Sequence, residues 1–177
     1  MARQEINDES IRHIEPMLMA FALRAVRSPD VARDLVQETY LAAIEAHDRF
    51  EGRSTLRTWM VGILSRKIVD HFRRGRRELV VDVPPESELP SKFAPMPPTA
   101  PDRALDDRAA MRVIDRSLGD LSELERMAVL LCDVEQLARS DACSALDVKP
   151  THLRVLLHRG RHKLRKALED AAMRPGR

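Results

Sequence analysis

The sequence has 177 residues, of which 44% are hydrophobic and 33% charged, and its net charge is +2. This composition excludes a disordered chain. No apolar run approaches the roughly 20 residues that span a bilayer, and the first residues lack the basic and apolar segments of a secretory signal. We therefore expect a cytoplasmic protein without membrane insertion. With six aromatic residues in total, the cores must be aliphatic, which favours an all-α fold.

The small net charge hides an uneven distribution along the chain. Residues 66–77 contain six Lys or Arg and one acid, and residues 154–166 contain six and no acid. Residues 78–107 contain seven acids and two basic residues. Clustered basic residues are typical of proteins that bind polyanions, because neutralising phosphates releases condensed counterions. The sequence thus predicts two basic segments that bind nucleic acid and an acidic middle.

Two helices are predicted in the N-terminal half. Ser28-Pro29-Asp30 combines a capping hydroxyl, a first-turn proline and an acid, and it predicts a helix that runs to about His47. After a break at residues 51–53, Ser54 or Thr55 is expected to cap a second helix. That helix carries apolar residues at helical period and ends in the first basic run.

The loop before the second helix joins Phe50 to a glycine and small polar groups. This combination suits a site that holds an unstacked base by stacking and backbone contacts. Trp59, one turn into the helix, fits the same role. Spacing alone, however, favours core packing for this side chain.

Residues 79–101 contain seven of the eleven prolines and no glycine. A helix cannot continue through such a stretch, because proline lacks the amide donor and clashes with the preceding turn. Proline-rich linkers are extended and semi-stiff, and this one would hold two domains apart. We therefore predict two small helical domains, 1–77 and 104–177, joined by an acidic proline-rich linker at 78–103.

The C-terminal domain is predicted to contain a helix-turn-helix. A helix over 105–118 ends at Gly119, and Ser122 with Glu125 predicts a capping box at the start of the next helix. Two further helices, 137–146 and 150 to about 168, are separated by three residues, and this arrangement makes a helix-turn-helix. The last helix is expected to expose residues that contact base edges and phosphates. They are Thr151, His152, Arg154, Val155, His158, Arg159 and Arg161.

The chain lacks the sequence signs of an enzyme or of a metal site. It has no glycine-rich phosphate loop, no paired-histidine zinc motif and no nucleophile elbow. Cys132 and Cys143 are eleven residues apart, without the spacing of a structural zinc site, and we interpret both as small core residues. We expect no catalytic activity, no metal and no cofactor.

Several stretches together resemble the extracytoplasmic-function (ECF) sigma factors of bacterial RNA polymerase. The N-terminal domain of that family is similar to DLVQET at 34–39, to RFEG at 49–52 with STLRTW at 54–59, and to DHFRR at 70–74. Residues 121–164, including LHRGR at 157–161, resemble the C-terminal domain. Both resemblances occur in the family's order, with a linker between. The turn residue is Asp147 where the family commonly has glycine, and aspartate can adopt the left-handed conformation.

The resemblance implies a role for each part of the chain. The first predicted helix would dock on the clamp helices of the polymerase, through Asp34, Leu35, Gln37, Glu38 and Leu41. The loop and second helix would melt and capture the minus-ten element, through Phe50, Arg53, Ser54, Thr55, Arg57, Trp59, Arg66, Lys67, Arg73 and Arg74. The seven residues of the last helix named above would read the minus-thirty-five element. The linker would thread towards the active-site cleft of the polymerase.

The implied partners are core RNA polymerase, promoter DNA and an anti-sigma factor that holds the protein inactive, and the free chain would be a monomer. Two alternatives remain open at this point. A conventional helix-turn-helix regulator would bind an operator tightly by itself, usually as a dimer on paired half-sites. A protein-binding adaptor would use its basic faces to contact acidic partners.

Overall fold

The computed structural model describes residues 8–50, 52, 54–78 and 107–173, and within these ranges all regular structure is helical, which confirms the all-α prediction. Residues 79–103 of the predicted linker, and Arg53, lie outside the described residues. Seven α-helices are present in the described part of the chain.

Three helices form the first half: α1 (Asp8–Val26), α2 (Pro29–Glu45) and α3 (Leu56–Glu78), with a 3-10 turn at His47–Arg49. Helices α2 and α3 match the two predicted helices, whereas α1 was not predicted. Pro16 lies inside α1, and an interior proline usually ends a helix. The buried residues Leu18, Phe21, Ala22 and Ala25 nevertheless repeat at helical period, and this pattern is the signal by which the helix could have been predicted.

Four helices form the second half: α4 (Asp107–Ser117), α5 (Glu123–Val129), α6 (Arg139–Leu146) and α7 (Pro150–Met173). A 3-10 turn at Leu118–Asp120 closes α4, and a π-helical turn at Leu130–Val134 extends α5. The predicted helix-turn-helix is present as α6 and α7. Between them Asp147 adopts the left-handed conformation, with φ 53° and ψ 52°, as expected.

Two of the three predicted N-terminal helix caps are present in the structure. Ser122 and Glu125 form both hydrogen bonds of the predicted capping box, and the Thr55 hydroxyl accepts a hydrogen bond from the backbone N–H of Thr58 at 3.1 Å. The predicted Ser28 cap is wrong, because its hydroxyl makes no capping hydrogen bond although its backbone is extended as at an N-cap. The proline that follows already fixes the first turn of α2.

The two halves pack against each other through one continuous hydrophobic core, so the prediction that the linker holds the domains apart is wrong for this conformation. Helix α3 contacts α5 and α6, and α1 contacts α5. Within the second half, α7 packs across α5 and α4. Gly160 marks the α5–α7 crossing, since a Cβ built there would lie 2.8 Å from Cγ2 of Val129. Two residues of α3 that are predicted to bind DNA, Arg57 and Arg73, lie at the interface between the halves.

Candidate nucleic-acid and polymerase interfaces

The predicted polymerase-docking residues lie on α2, and all but one face solvent. Asp34, Gln37, Glu38 and Leu41 are exposed, and Leu41 exposes 63% of its surface. Leu35 is 4% exposed and belongs to the core, so its side chain is not accessible to a partner in this conformation. The helical period that places Asp34 and Leu41 outward turns Leu35 inward.

Ile44 extends this face of α2, although the sequence reasoning did not select it. It exposes 55% of its surface and lies three residues beyond Leu41, so both side chains lie on one side of the helix. Two neighbouring exposed aliphatic side chains flanked by carboxylates suit a protein partner better than solvent. The sequence could have indicated this pair, because Leu41 and Ile44 are three residues apart and lie outside the helical positions that are buried.

The loop between α2 and α3 is anchored by two aromatic rings. The ring centroids of Phe50 and Trp59 are 5.0 Å apart, with an interplanar angle of 38°. Phe50 is 5% exposed, so the prediction that it contacts an unstacked base is wrong for this conformation: its ring supports the loop. Trp59 is half-buried against the core, as spacing favoured. Ser54 and Thr55 are exposed beside them.

The basic face of α3 is exposed, and three of its side chains, Arg57, Lys67 and Arg73, are paired with acids. Arg57, Arg66, Arg73 and Arg74 are exposed, whereas Lys67 is half-buried. The Lys67 ammonium donates to the Glu38 carboxylate at 3.2 Å. Two side chains predicted for different interfaces therefore contact each other on adjacent helices.

Two arginines of α3 reach the second half of the chain. Arg57 donates to Glu135 at 2.8 Å, and Arg73 donates to Asp147 at 2.9 Å. The acids Glu135 and Asp147 were not predicted as partners of these arginines. Sequence reasoning could not identify them, because each pair joins residues more than 70 positions apart.

On α7 most of the predicted DNA-contacting side chains face solvent. Thr151, Arg154, His158 and Arg159 are exposed, and His152 and Arg161 are half-buried. The His158 and His162 rings stack with centroids 6.5 Å apart. Val155 is 4% exposed, so its predicted exposure is wrong and we assign it to the framework of the domain.

Arg161 is held by a bidentate ion pair with Asp133, with hydrogen bonds of 2.9 and 2.5 Å. The hydrogen bonds to Asp133 raise the pKa of Arg161 above its usual value. A guanidinium fixed in this way keeps one orientation on α7. Asp133 belongs to the π turn and was not predicted to have a role.

Both cysteines are partly buried against the core, as predicted. Burial, and then the neighbouring Asp133, raise the pKa of Cys132. Among the described residues no three His, Cys, Asp or Glu side chains are grouped so that they could bind a metal ion. Within the same ranges no helix is long and apolar enough to cross a membrane.

Known proteins that resemble this chain cover both of its halves. The family model of Sigma-70 region 2 matches residues 11–78, and that of Sigma-70 region 4 matches residues 111–164. SigG, an ECF RNA polymerase sigma factor of Mycobacterium tuberculosis, is 31% identical over 92% of this chain and 49% of its own length. A probable RNA polymerase sigma-C factor of Mycobacterium bovis is 30% identical over 75% of this chain and 68% of its own length.

The chain spans about half the length of the first curated relatives it matches. Among solved structures, the fold is similar to that of the sigma factor RpoE from Bartonella quintana in complex with the anti-sigma factor NepR. The TM-score is 0.63 at 25% identity, over 91% of this chain and 95% of that chain. Both halves, in the same order, thus match one family, and the chain belongs to the sigma-70 family of RNA polymerase sigma factors, in its ECF group.

Proposed function

We propose that this chain binds core RNA polymerase and directs promoter-specific initiation of transcription. The observation that supports the proposal most strongly is the presence of both sigma regions in one chain, at residues 11–78 and 111–164. Two surfaces support the proposal: an exposed acidic and aliphatic face on α2, and a helix-turn-helix on α6 and α7. Sigma factors are non-enzymatic initiation factors, and we propose that this chain has no catalytic activity and acts in the cytoplasm as a monomer.

The roles divide among three surfaces. Leu41 and Ile44, with Asp34, Gln37 and Glu38 around them, would dock on the polymerase. The exposed arginines of α3, together with Ser54 and Thr55, would hold the opened minus-ten strand. Basic side chains suit this role because they follow the phosphates of a single-stranded backbone. The start of α7, with Thr151, His152 and Arg154, would read the minus-thirty-five duplex, while Arg159 and Arg161 hold phosphates.

We also propose that an anti-sigma factor controls this chain. The support is the likeness to RpoE of Bartonella quintana, which was solved with the anti-sigma factor NepR. The exposed α2 face is the surface such a partner would have to cover in order to block the polymerase. Affinity purification from cells in different growth states tests this: recovery of the polymerase alone under every condition would contradict it.

The docking surface can be tested with one pair of matched variants. Leu41→Asp places a charge in the centre of the proposed interface, and we expect it to weaken binding to core polymerase by roughly tenfold or more. Leu23→Asp is the control, because Leu23 is a partly exposed leucine, 37% accessible, on α1. Binding is measured by competition against a fluorescent wild-type chain.

The same measurement separates the proposal from its alternatives. A wild-type chain that does not bind core polymerase, but binds one DNA duplex tightly as a dimer, would contradict the proposal and indicate a conventional regulator. Equal affinities of Leu41→Asp and Leu23→Asp for the polymerase would show that α2 does not dock there.

A further inference from the structure

Two of the six histidines of the chain lie together on the exposed surface of α7. His158 and His162 are four residues apart, and side chains at this spacing lie one above the other on a helix. Both residues are exposed, and their rings are nearly parallel, with an interplanar angle of 3° and centroids 6.5 Å apart. No other two histidines have this spacing. Helix α7 thus presents two neighbouring imidazoles to solvent.

Two imidazoles in this arrangement can bind one metal ion. In the paired-histidine motif of zinc enzymes, two histidines four residues apart on one helix face supply two ligands of the ion, each about 2.0–2.1 Å from it. The exposed rings of His158 and His162 need only tilt towards each other, which rotation about their side-chain bonds allows. Arg159 lies where that motif has its general-base glutamate. The pair therefore has two ligands of the motif without its catalytic base.

The positive charge around the pair is smaller than the sequence of α7 suggests. Residues 154–166 contain six Lys or Arg and no acid, and such a cluster would repel a cation. In the folded chain, however, Asp133 pairs with Arg161, and Glu125 pairs with Lys163 at 2.7 Å. Both basic residues next to His162 in the sequence are therefore neutralised by acids from outside α7, which reduces the repulsion that a bound cation would meet.

The two donors decide which ions fit and how many positions stay open. Imidazole suits Zn²⁺, Ni²⁺ and Cu²⁺, whereas Mg²⁺ and Ca²⁺ prefer oxygen ligands. Among the residues that the structure describes, no third His, Cys, Asp or Glu joins the pair in a metal-binding group. An ion held here therefore keeps water in its remaining positions, and such a position can accept an oxygen of another molecule instead.

We propose that His158 and His162 bind one divalent transition-metal ion, and that this ion bridges α7 to a phosphate of the DNA backbone. The ion adds positive charge to α7, and its open positions accept a phosphate oxygen. His158, assigned to DNA by the family resemblance, then contacts DNA through the ion. The bridge rests on the proposed function, whereas the ion site rests on the histidine pair alone. The pair replaces our expectation from the sequence that the chain binds no metal.

Ion binding is measured on the full, untagged chain without DNA or polymerase. The probe is Ni²⁺, because it suits imidazole and, being paramagnetic, broadens the NMR signals of nuclei close to it. We expect substoichiometric Ni²⁺ to broaden the amide signals of α7 around His158 and His162. Excess Zn²⁺ should reverse the broadening, whereas excess Mg²⁺ should not. Broadening that is centred elsewhere, for example at Cys132, or that is absent would overturn the site.

One pair of matched variants tests the ligands. His162→Gln removes one of the two, and we expect it to weaken Ni²⁺ binding by at least roughly tenfold, since loss of even a hydrogen-bond partner of a ligand costs about that much. His13→Gln is the control, because His13 is an exposed histidine on α1, and its affinity for Ni²⁺ should equal that of the unchanged chain. Equal affinities of the two variants would overturn the site.

Affinity for a DNA duplex at low salt tests the bridge. Saturating Ni²⁺ should tighten the binding of the unchanged chain and of His13→Gln by roughly tenfold, as one added charged contact can, and it should leave His162→Gln unchanged. Equal affinities of the unchanged chain with and without Ni²⁺ would overturn the bridge. The NMR measurement uses neither DNA nor polymerase, so failure of the ion site and failure of the proposed function, which is tested by binding to core polymerase, are distinguishable.

Discussion

Tyr40 is a polar side chain that the fold buries without a partner. Its hydroxyl is inaccessible to solvent and makes no hydrogen bond. Burial, and then the charge of Glu15, raise the pKa of Tyr40 from 10.0 to about 12. The fold therefore favours the protonated phenol, which contributes stability below pH 10 that is lost as the pH rises towards 12.

This tyrosine can be followed without interference because it is the only one in the sequence. We expect the absorbance change of tyrosinate to have its midpoint near pH 12 in the folded chain and near pH 10 in denaturant. Tyr40→Phe should make the free energy of unfolding less dependent on pH between these values. A folded-state midpoint near 10 would contradict the burial of the hydroxyl.

The role of a single residue could be predicted only where the helical period decides whether its side chain is exposed. Asp34 and Leu41 are exposed as expected, but Leu35, Phe50 and Val155 are buried. The helical period accounts for Leu35, whereas the burial of Phe50 and Val155 depends on which helices pack on them. That information is not local in the sequence.

At the scale of the helices, the crossing of α5 and α7 depends on one missing side chain. Gly160→Ala would place a Cβ 2.8 Å from Val129 Cγ2, and overpacking of this kind costs about 1–3 kcal/mol. Gly62→Ala is the matched control within α3, where no atom lies within 4 Å of the added carbon. It should stabilise the chain by about 0.5–1 kcal/mol, because alanine favours helix.

Chemical denaturation of the two alanine variants measures these effects. Unchanged or increased stability for Gly160→Ala would show that α7 can shift away from α5. Both glycines lie in helices, so helix propensity alone would make both substitutions stabilising. Opposite signs are therefore specific to the close approach.

Helix bounds followed from the sequence wherever capping chemistry was clear. The Ser122–Glu125 capping box and the left-handed Asp147 were both predicted and are both present. Helix α1 was not predicted, although its buried residues repeat at helical period. The π turn after α5 carries no local signal, since its residues continue the apolar pattern of the helix before it.

At the scale of the molecule, the sequence correctly predicted two basic segments but not what they contact. The family resemblance assigned Arg57 and Arg73 to DNA, whereas in this conformation they bind Glu135 and Asp147. Such pairs depend on how the two halves pack, which no local pattern determines. The same side chains can serve both contacts at different times, and this makes the two interpretations compatible.

The central claim is that this chain gives RNA polymerase its choice of promoter. The most direct test is transcription in vitro with core polymerase and fragmented genomic DNA of the source bacterium, followed by mapping of the RNA 5′ ends. We predict a set of start sites that appears only when the chain is added and that shares two sequence elements upstream at a constant spacing. Start sites identical to those of core polymerase alone would contradict the claim.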